Sequence, residues 1–350
     1  MRTSLIIPNY NHAAYLPASV GALLAQTRPA DEIIIIDDAS TDDSLDVIER
    51  LTAGRADVRV VRLAERGGVV KALNAGLELA TGDVIAFLGA DDRVFPEFLA
   101  TMVPMLEAHP EAAFGCGRVE LRDESGRRTG ERPIVRPTAF ARYMRPADMR
   151  RQLRHADNFF LGQVTLYRTA CLRELGGFDA TLGSLSDSML QRRLAVRWGY
   201  VFVPEILGIW RLHGANYSVS SVMDPGVLEQ MIADGRGVLA NEPAGLYPPR
   251  YLELFERRLR FNSARLLAAR LPQSAISASL IGQILGGGRI DQAMLAGVVK
   301  LGPLAPHLAT AWITVRLRPF ALSWLLSEAA WRAVDRLRPA RKPDQPTGPP

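Results

Sequence analysis

Cysteine is scarce in this sequence, since its 350 residues include two, Cys116 and Cys171. Two thiols are too few for a disulfide framework and are typical of a reducing compartment. The first residues, MRTSLIIPNYN, also lack the long apolar core and the small-residue cleavage site of a secretory signal. We therefore expect a cytoplasmic protein.

Long apolar runs and several common ligand-binding motifs are missing as well. Residues 301–315 are apolar but contain Pro303, Pro306 and His307, so they fall short of the ~20 clean apolar residues of a spanning helix. Zinc-finger spacing, basic helices and ribonucleoprotein signatures are absent, so we expect no nucleic acid partner. The turn after the first predicted strand reads PNYNHA. It lacks the Gly-x-Gly-x-x-Gly of a dehydrogenase and the Gly-rich, Arg-Lys-bearing loop of a sugar nucleotidyltransferase, and both classes are excluded.

What is present indicates a globular protein that favours anions. Hydrophobic residues make up 48% of the chain and charged residues 23%, which is enough for a sizeable core and more than one domain. The net charge is +5 and the sequence pI is about 9.5. Phosphates, nucleotides or an anionic membrane surface are therefore the expected partners.

Strand and helix patterns alternate in the N-terminal part of the chain. Buried strands are predicted at residues 4–8, 32–38, 58–63 and 84–88, with helices between them, which indicates a parallel α/β sheet. After Pro96 the pattern is mixed. We predict strands at 112–117, 163–168, 199–203 and 205–212, a polar hairpin within 119–132, and a mostly helical segment at 138–155. From about Pro225 onward only helices are predicted, and a Pro-rich disordered tail covers 341–350.

Two adjacent acids, Asp91 and Asp92, follow the fourth predicted strand directly. Carboxylates in this position lie at the carboxyl edge of a parallel sheet, where open α/β sheets bind ligands. Two hard oxygen donors suit Mg²⁺ or Mn²⁺, which in turn suits a diphosphate. The alternative is an acidic loop that caps the helix beginning near Pro96.

Several short motifs follow one another in an order typical of one large enzyme family. They are Ile6-Ile7-Pro8-Asn9-Tyr10-Asn11, Asp37-Asp38 with Ala39-Ser40-Thr41-Asp42, Asn74-Ala75-Gly76-Leu77, Thr81-Gly82-Asp83, Asp91-Asp92, Gly176-Gly177-Phe178-Asp179 and Arg211-Leu212-His213-Gly214-Ala215-Asn216. Over residues 4–218 the chain resembles the inverting GT-A-fold glycosyltransferases, the large nucleotide-sugar-dependent family 2 type.

The resemblance implies an α/β fold of the GT-A type, with a Rossmann-like, mostly parallel sheet flanked by helices and a mixed acceptor-side subdomain. The helical pattern after Pro225, which lies outside the resemblance, adds an α-helical C-terminal extension. The resemblance places the glycosyltransferase domain at residues 1–222, divided into a nucleotide-binding half, 1–92, and an acceptor half, 93–222. The helical extension then covers 223–340, and the tail 341–350.

The resemblance also implies roles for individual residues. The nucleotide-binding residues would be Pro8, Tyr10, Asn11, Asp38, Lys71, Ala90 and Asp91. Asp38 would accept a hydrogen bond from a base N–H, typically of uracil, or else cap a helix. Lys71 would contact the diphosphate or remain solvated.

Mn²⁺ or Mg²⁺ would be bound by Asp91, Asp92 and His213, with the histidine alternatively a hydrogen-bonded loop residue. Asp187 would be the catalytic base that takes the proton from the acceptor hydroxyl, or alternatively a helix cap.

Two departures from the family pattern leave an alternative function open. Gly89 stands where the family has the first acid of its Asp-any-Asp motif, and Ser186 stands where it has a Glu before the catalytic Asp. A catalytically impaired homologue that acts as a binding or scaffolding protein would carry such changes. Because the other acids and His213 are present, we favour an enzyme.

The expected function is metal-dependent transfer of a sugar, with inversion, from a nucleotide diphosphate sugar to a hydroxyl acceptor. A UDP-sugar is the favoured donor, and a cell-surface polysaccharide or glycolipid the favoured product. Residues 320–337 have an amphipathic pattern that predicts either peripheral contact with the inner face of the membrane or packing on the domain itself or on a second subunit. A basic cluster is either a solvated face or a contact for an anionic acceptor such as a lipid diphosphate: Arg142, Arg145, Arg150, Arg151 and Arg154.

Overall fold

One mixed sheet of ten strands runs through the computed structural model, which describes residues 1–157, 162–213, 224–271 and 275–336. The strands are β1 Thr3–Asn9, β2 Glu32–Asp37, β3 Val58–Arg62, β4 Val84–Phe87, β5 Arg93–Val94, β6 Phe114–Arg122, β7 Arg128–Arg132, β8 Arg142–Met144, β9 Thr165–Arg168 and β10 Tyr200–Arg211. Their order in the sheet is β3-β2-β1-β4-β9-β6-β10-β5, with β7 beside β6 and β8 beside β10.

The parallel N-terminal half of the sheet is confirmed. Strands β3, β2, β1 and β4 pair in parallel, with Ile6 opposite both Ile34 and Phe87. Strand β9 is antiparallel to both β4 and β6, and β10 is parallel to β6. The carboxyl ends of β1, β2, β4 and β10 therefore all lie at one edge of the sheet.

Helices cover both faces of the sheet, because alternate side chains of each buried strand point to opposite faces. Leu5 and Ile7 pack with α1 Leu16–Leu24, α2 Ser44–Thr52 and α4 Phe98–Ala108. Ile6 belongs to the core on the other face. The helices there are α3 Val69–Leu79, α5 Pro146–Gln152, α6 Thr169–Glu174 and α7 Ser186–Trp198.

The C-terminal helices belong to the same core as α3 and α7. They are α8 Pro225–Ala240, α9 Tyr251–Ala268, α10 Ala275–Ile284, α11 Arg289–Val299, α12 Ala305–Leu317 and α13 Leu322–Arg336. The predicted all-helical C-terminal part is therefore confirmed over its described residues. The predicted tail 341–350 lies outside them, as do Gly214, Ala215 and Asn216 of the last motif.

Two sequence-based predictions in the acceptor half are wrong. The segment 138–155 is not mostly helical, since it forms strand β8 and the short helix α5. Pro146 explains the boundary, because a proline disfavours the helical conformation of the residue before it. The two strands predicted at 199–203 and 205–212 form one strand, β10, whose register with β6 shifts between Phe202 and Gly208. An irregularity there accommodates Pro204, which has no N–H to donate.

The basic cluster of this region is largely paired at the surface. Arg142, Arg145 and Arg151 all form ion pairs with Asp148, and their side chains are at least half exposed. Such exposed pairs contribute little to stability. This geometry fits the solvated face better than an acceptor contact.

The C-terminal helices present an apolar surface at a different place from the one predicted. In α13, Trp324 and Leu325 pack on the core, and Glu328 forms a buried ion pair with Arg136. Over the described part of the chain, no helix combines the length and apolarity needed to cross a bilayer. Leu326 of α13 is exposed, but most exposed large apolar side chains lie along α11, α12 and the turn between them: Ile290, Met294, Leu301, Leu304, Leu308 and Val315.

Candidate active site

A cleft formed by two adjoining cavities, of about 220 and 660 Å³, opens at the carboxyl edge of the sheet. All seven residues predicted to bind the nucleotide line the larger cavity, and Asp187 lines the smaller one. Both cavities are lined by Pro8, Val69, Val70, Gly89, Asp91 and Gly183. The topology thus brings the predicted donor residues and the predicted base to opposite ends of one cleft, with Asp91 between them.

Asp91 is the centre of a cluster with two histidines. His213 Nε2 lies 2.9 Å from Asp91 Oδ2. His12, from the turn after β1, completes a group in which one ligand atom of each residue lies within 4.8 Å of the others. The ring of Tyr15 stacks on His213 with a centroid distance of 5.3 Å, which holds the imidazole in place. His213 reaches Asp91 because it follows β10, which pairs with β5, the short strand directly after the two acids.

This cluster fits a divalent metal ion. Nδ1 of His12 is buried and has no hydrogen-bond partner among the described residues. A buried polar atom without a partner is costly, and a cation beside it would satisfy its lone pair. Two imidazoles and a carboxylate are common ligands of divalent metals, so His12, Asp91 and His213 could hold one together.

Asp92, which the sequence predicts as a third ligand, lies outside this cluster. Its side chain is buried, and its Oδ1 accepts a hydrogen bond from the backbone N–H of Arg211 at 3.1 Å. Burial, together with the neighbouring Asp91 carboxylate, raises the pKa of Asp92 well above its usual range. The hydrogen bond from Arg211 to Asp92 therefore joins the end of β10 to the loop after β4.

Gly89 has a packing reason to lack a side chain. A β-carbon at this position would lie 2.7 Å from Asp91 Oδ1 and 2.9 Å from Asp92 Oδ2. Both carboxylates fold back over the glycine, so an acid here would displace them. The departure from the family pattern at Gly89 thus accompanies a different arrangement of the two acids that follow it.

Asp38 binds the glycine loop that begins α3. Its carboxylate accepts hydrogen bonds from the backbone N–H groups of Gly67, at 2.6 Å, and Gly68, at 2.8 Å. Gly68 has a φ of 85°, which few side-chain-bearing residues tolerate. Asp38 therefore shapes the wall of the larger cavity by holding the loop that precedes α3.

Asn11 also has a local structural partner. Its backbone is in the left-handed region, with φ at 54°, and its Oδ1 accepts a hydrogen bond from the N–H of Thr41 at 2.8 Å. Asn11 thus ties the loop after β1 to the loop after β2. Both loops line the nucleotide end of the cleft.

Two of the predicted nucleotide-binding residues, Tyr10 and Lys71, have side chains that a ligand in the larger cavity could contact. The guanidinium of Arg66 lies over the ring of Tyr10, 4.1 Å from its centroid. Lys71 is 55% exposed in the first turn of α3 and lies 3.7 Å from Glu65, which leaves its ammonium group accessible. Ala90, by contrast, is buried and contributes only backbone to the wall.

Asp187 lies in the first turn of α7, where its Oδ1 accepts a hydrogen bond from the N–H of Ser188 at 2.5 Å. Burial raises the pKa of Asp187 above its usual value. Its Oδ2 approaches Gly162, where a β-carbon would lie 3.0 Å away. A half-buried carboxylate with a raised pKa, open to a cavity, has the properties of a general base.

Two motifs that are far apart in the sequence are joined by side-chain hydrogen bonds. Asn74 of α3 donates to the carbonyl of Phe178 at 2.8 Å and accepts from its N–H at 2.9 Å. This pair holds the Gly176-Gly177 turn against α3. Phe178 is thereby placed in the wall of the smaller cavity.

His12 and Arg66 are site residues that sequence reasoning missed. His12 stands in the polar turn after β1, so a histidine at a predicted ligand-binding edge was the signal that could have found it. Arg66 precedes the Gly67-Gly68 break, a position typical of a ligand loop. Neither residue type is specific to a site without knowledge of its neighbours.

Comparison with known proteins agrees with this geometry. Residues 4–176 match the model of the family described as Glycosyl transferase family 2. A PGL/p-HBAD biosynthesis glycosyltransferase of Mycobacterium bovis is 33% identical over 125 residues, which are 35% of this chain and 49% of that protein. The alignments to this and other curated relatives span between 30% and 49% of the relatives' length.

Two solved structures share the fold over nearly the whole chain. The S. aureus TarS fragment 1–349 in complex with UDP-GlcNAc matches 95% of this chain and 92% of its own, with a TM-score of 0.59 and 19% identity. The mannosyltransferase PcManGT from Pyrobaculum calidifontis, in complex with GDP-Man and Mn²⁺, matches 96% and 88%, with a TM-score of 0.58 and 21% identity. Through residues 4–176 the chain thus belongs to glycosyl transferase family 2, and it has the GT-A fold.

Proposed function

We propose that this protein transfers a sugar, with inversion, from a nucleotide diphosphate sugar to a hydroxyl acceptor. The observation that carries the proposal is the single cleft in which Asp91, with its two histidines, separates a nucleotide-sized cavity from the cavity of Asp187. In this arrangement the nucleoside of the donor would bind in the larger cavity, its diphosphate beside Asp91, and the acceptor in the smaller cavity.

The nucleotide occupies the larger cavity in this proposal, with its base near Tyr10 and Asp38 and its diphosphate near Lys71. The Asp38 oxygens already accept from two backbone N–H groups, but each has a further lone pair for a base N–H. A UDP-sugar is the favoured donor because a carboxylate suits the N3–H of uracil. The UDP-GlcNAc and GDP-Man complexes of the two structural neighbours support a nucleotide-sugar but leave the base open.

A divalent metal bound by His12, Asp91 and His213 is part of the proposal. When bound, it supplies positive charge that neutralises the leaving diphosphate. Two nitrogen ligands favour Mn²⁺ over Mg²⁺, which prefers oxygen donors. The Mn²⁺ in the PcManGT complex supports this choice.

Asp187 is the proposed catalytic base. It takes the proton from the acceptor hydroxyl while that oxygen attacks the anomeric carbon from the face opposite the leaving group, which inverts the anomeric centre. Its raised pKa makes the carboxylate a stronger base than an exposed aspartate. Ser186, where the family has a Glu, is buried and bears no charge that could assist.

We further propose that residues 1–222 form the glycosyltransferase domain, with the helical extension at 223–340, and that the extension contacts an anionic membrane surface. The turn and helices of residues 286–320 contain one acid, Asp291, which is buried and paired with Arg316. The exposed charges there, on Arg289, Lys300 and Arg318, are all positive and stand among the exposed apolar side chains. Assembly of a surface polysaccharide or glycolipid fits such a location.

The membrane contact is tested by sedimentation with anionic and with neutral vesicles. The double variant Leu304→Glu, Leu308→Glu should lose binding to anionic vesicles, whereas Leu326→Glu, an equally exposed position on α13, should retain it. Binding that ignores lipid charge, or a dimer that the double variant dissociates, would contradict the membrane contact.

The donor site is tested by calorimetric titration with UDP, with and without Mn²⁺. We expect tight binding only with the metal, and loss of the metal dependence in Asp91→Ala and His12→Gln. Asp46→Asn, an exposed acid on α2, is the matched control that should bind as the unaltered protein does. If UDP binds equally without metal, the metal site is wrong; if neither UDP, GDP nor dTDP binds, the donor site is wrong. Donor binding without any turnover would favour the catalytically impaired homologue.

A further inference from the structure

Three arginines interact with one another at the C-terminal helices, and none of them lines either cavity of the cleft. They are Arg132 at the end of β7 and Arg258 and Arg265 on α9, and we refer to them as the arginine triad. Arg258 and Arg265 are separated by two helical turns and therefore lie on the same face of α9. Arg258 is the most deeply placed, with 2% of its surface exposed.

The guanidinium of Arg258 is only partly satisfied by the protein. Its Nε donates to the backbone carbonyl of Asp157 at 2.9 Å. Its Nη1 and Nη2 are buried without a hydrogen-bond partner within the described part of the chain, and so is Nε of Arg265. The guanidinium carbon of Arg258 lies 5.3 Å from the ring centroid of Phe261 and 4.7 Å from that of Phe320, which gives a cation–π contact with each. A ring face does not replace the hydrogen-bond acceptors that Nη1 and Nη2 of Arg258 lack.

The charge of the triad is only partly compensated within the described residues. Asp157 is the acid beside Arg258, and both of its carboxylate oxygens are within 3.1 Å of Arg192 Nε, while Oδ2 also accepts from Tyr251. Burial lowers the pKa of Arg258, the Asp157 carboxylate raises it, and the positive charges of Arg132 and Arg265 lower it again. A guanidinium nevertheless keeps its proton at neutral pH, so it cannot escape the penalty of burial by becoming neutral.

Arg136, four residues beyond Arg132, shows how this protein otherwise buries an arginine. It is 1% exposed, and both its backbone N–H and its Nε donate to the carboxylate of Glu328, at 2.9 and 3.2 Å. Arg258 has no equivalent acid among the described residues. The buried guanidinium of Arg258, with two unpaired N–H donor groups, would therefore be stabilised by an anion that is not part of the chain.

We propose that the arginine triad binds an oxyanion of the phosphate class, either free phosphate or the phosphoryl group of a larger molecule. The paired Nη1 and Nη2 of one guanidinium match two oxygens of such an anion, and Arg265 Nε offers a third donor. A bound dianion would neutralise two of the three positive charges. This site is separate from the diphosphate site proposed in the cleft, and it does not depend on it.

The first test compares thermal unfolding of the protein in sodium phosphate and in sodium chloride of matched ionic strength, at pH 7. We expect a saturable rise in Tm of at least about 2 °C with phosphate beyond that with chloride. The rise should be absent in Arg258→Met. It should persist in Arg257→Met, the preceding residue on α9, whose Nε donates to the carbonyl of Glu253 at the surface.

The sign of the Arg258→Met effect is itself diagnostic. Without phosphate, removing a buried charge that is only partly compensated should leave Tm unchanged or raise it; with saturating phosphate, the same variant should have a lower Tm than the unaltered protein. A lower Tm by the same amount in both buffers would mean that protein groups hold the guanidinium, which would overturn the proposal. If Arg258→Met does not fold, Arg265→Met, at a half-buried position, should weaken the phosphate titration instead.

Two further measurements identify the site at which the anion binds and whether it is free phosphate or part of a larger molecule. Loss of the rise in Lys71→Met, with retention in Arg258→Met, would place phosphate in the cleft and overturn the proposal, as would equal effects of phosphate and chloride. Hexyl phosphate then separates the sources. Competition with phosphate indicates a phosphoryl group carried by a larger molecule, and its absence indicates free phosphate.

Discussion

Two buried regions of this chain, the sheet edge and the arginine triad, differ in how their charged groups are paired. At the sheet edge, Asp38 accepts from two backbone N–H groups, and Asp37 accepts from the Asn9 side chain and the N–H of Ser40. Beneath α9, three guanidinium nitrogens of Arg258 and Arg265 have no acceptor in the described residues. The carboxylates accept hydrogen bonds from neighbouring loops at the sheet edge, whereas these guanidinium nitrogens have donors that a ligand could use.

The difference distinguishes charged groups that stabilise the fold from charged groups that are available to a ligand. A buried ion whose hydrogen bonds are all made within the chain stabilises one loop conformation, and its removal mainly affects stability. A buried ion with unused donors or a raised pKa is instead available to a substrate or an anion. Asp187 and His12 in the cleft belong to the second group, as does Arg258.

The largest expected effect is on catalysis. Asp187→Asn should reduce the transfer rate by about 10²–10⁴-fold, because an amide cannot take the proton from the acceptor hydroxyl. UDP binding should be unchanged, since Asp187 lines the other cavity. Initial rates and UDP calorimetry measure the two effects. Retained transfer activity would put Asp187 among the structural acids.

Removing a fully bonded buried acid should have the next largest effect, this time on stability. Asp157→Asn should lower the free energy of unfolding by about 3–5 kcal/mol, because Arg192 would be left buried beside a neutral amide. Urea unfolding measures it. The control is Asp57→Asn, which breaks an exposed pair with Arg55 and should change stability by less than about 1 kcal/mol. Equal effects of the two variants would remove the distinction between buried and exposed pairs.

Asp38→Ala tests the sheet-edge half of the comparison. The N–H groups of Gly67 and Gly68 would lose their acceptor, at an expected loss of about 2–4 kcal/mol in the free energy of unfolding. Asp43→Ala is the matched control, because Asp43 precedes α2 without a side-chain cap hydrogen bond. Were Asp38→Ala as stable as the control while losing UDP affinity, Asp38 would be a ligand residue and not a loop anchor.

The smallest expected effect is a pH dependence of stability at Asp187. Burial raises its pKa in the folded protein above the ordinary value of 3.8. The folded state therefore holds the proton more tightly than the unfolded state, and this contribution to stability is full below pH 3.8 and is lost as the pH rises through the raised pKa. Asp187→Asn should match the unaltered protein at the acidic end and become the more stable of the two above that pKa. A pH-independent difference in unfolding free energy would contradict a raised pKa.

Much of the fold could be predicted because the apolar runs are long and unambiguous. Strands such as 32–38 are almost entirely isoleucine and acid, and helices between such strands require a parallel sheet. The segment 138–155 was mispredicted because its helical composition is interrupted by Pro146, whose effect extends to the residues before it. The break predicted at Pro204 failed for a related reason, since a bulge lets one strand continue past a proline.

The site was predicted in part. Asp91, His213 and Asp187 follow strands or begin a helix, and the ends of parallel elements meet at one edge, so their proximity follows from the order of motifs. His12 and the inward turn of Asp92 could not be foreseen, because they depend on how adjacent side chains fold over Gly89. Neighbouring residues in a tight loop point in directions that local pattern does not specify.

The amino-acid sequence alone determined the family, the parallel half of the sheet and the edge that carries the site, because hydrophobic periodicity and turn residues act over short distances. The tertiary structure decided which charges are satisfied within the chain. Asp38 accepts from donors about thirty residues away, and Arg258 donates to the carbonyl of Asp157, its one acceptor among the described residues. Such pairings require segments that are distant in the sequence to meet in a low-dielectric interior. There the free-energy cost of one unpaired polar group exceeds the conformational preference of any single residue.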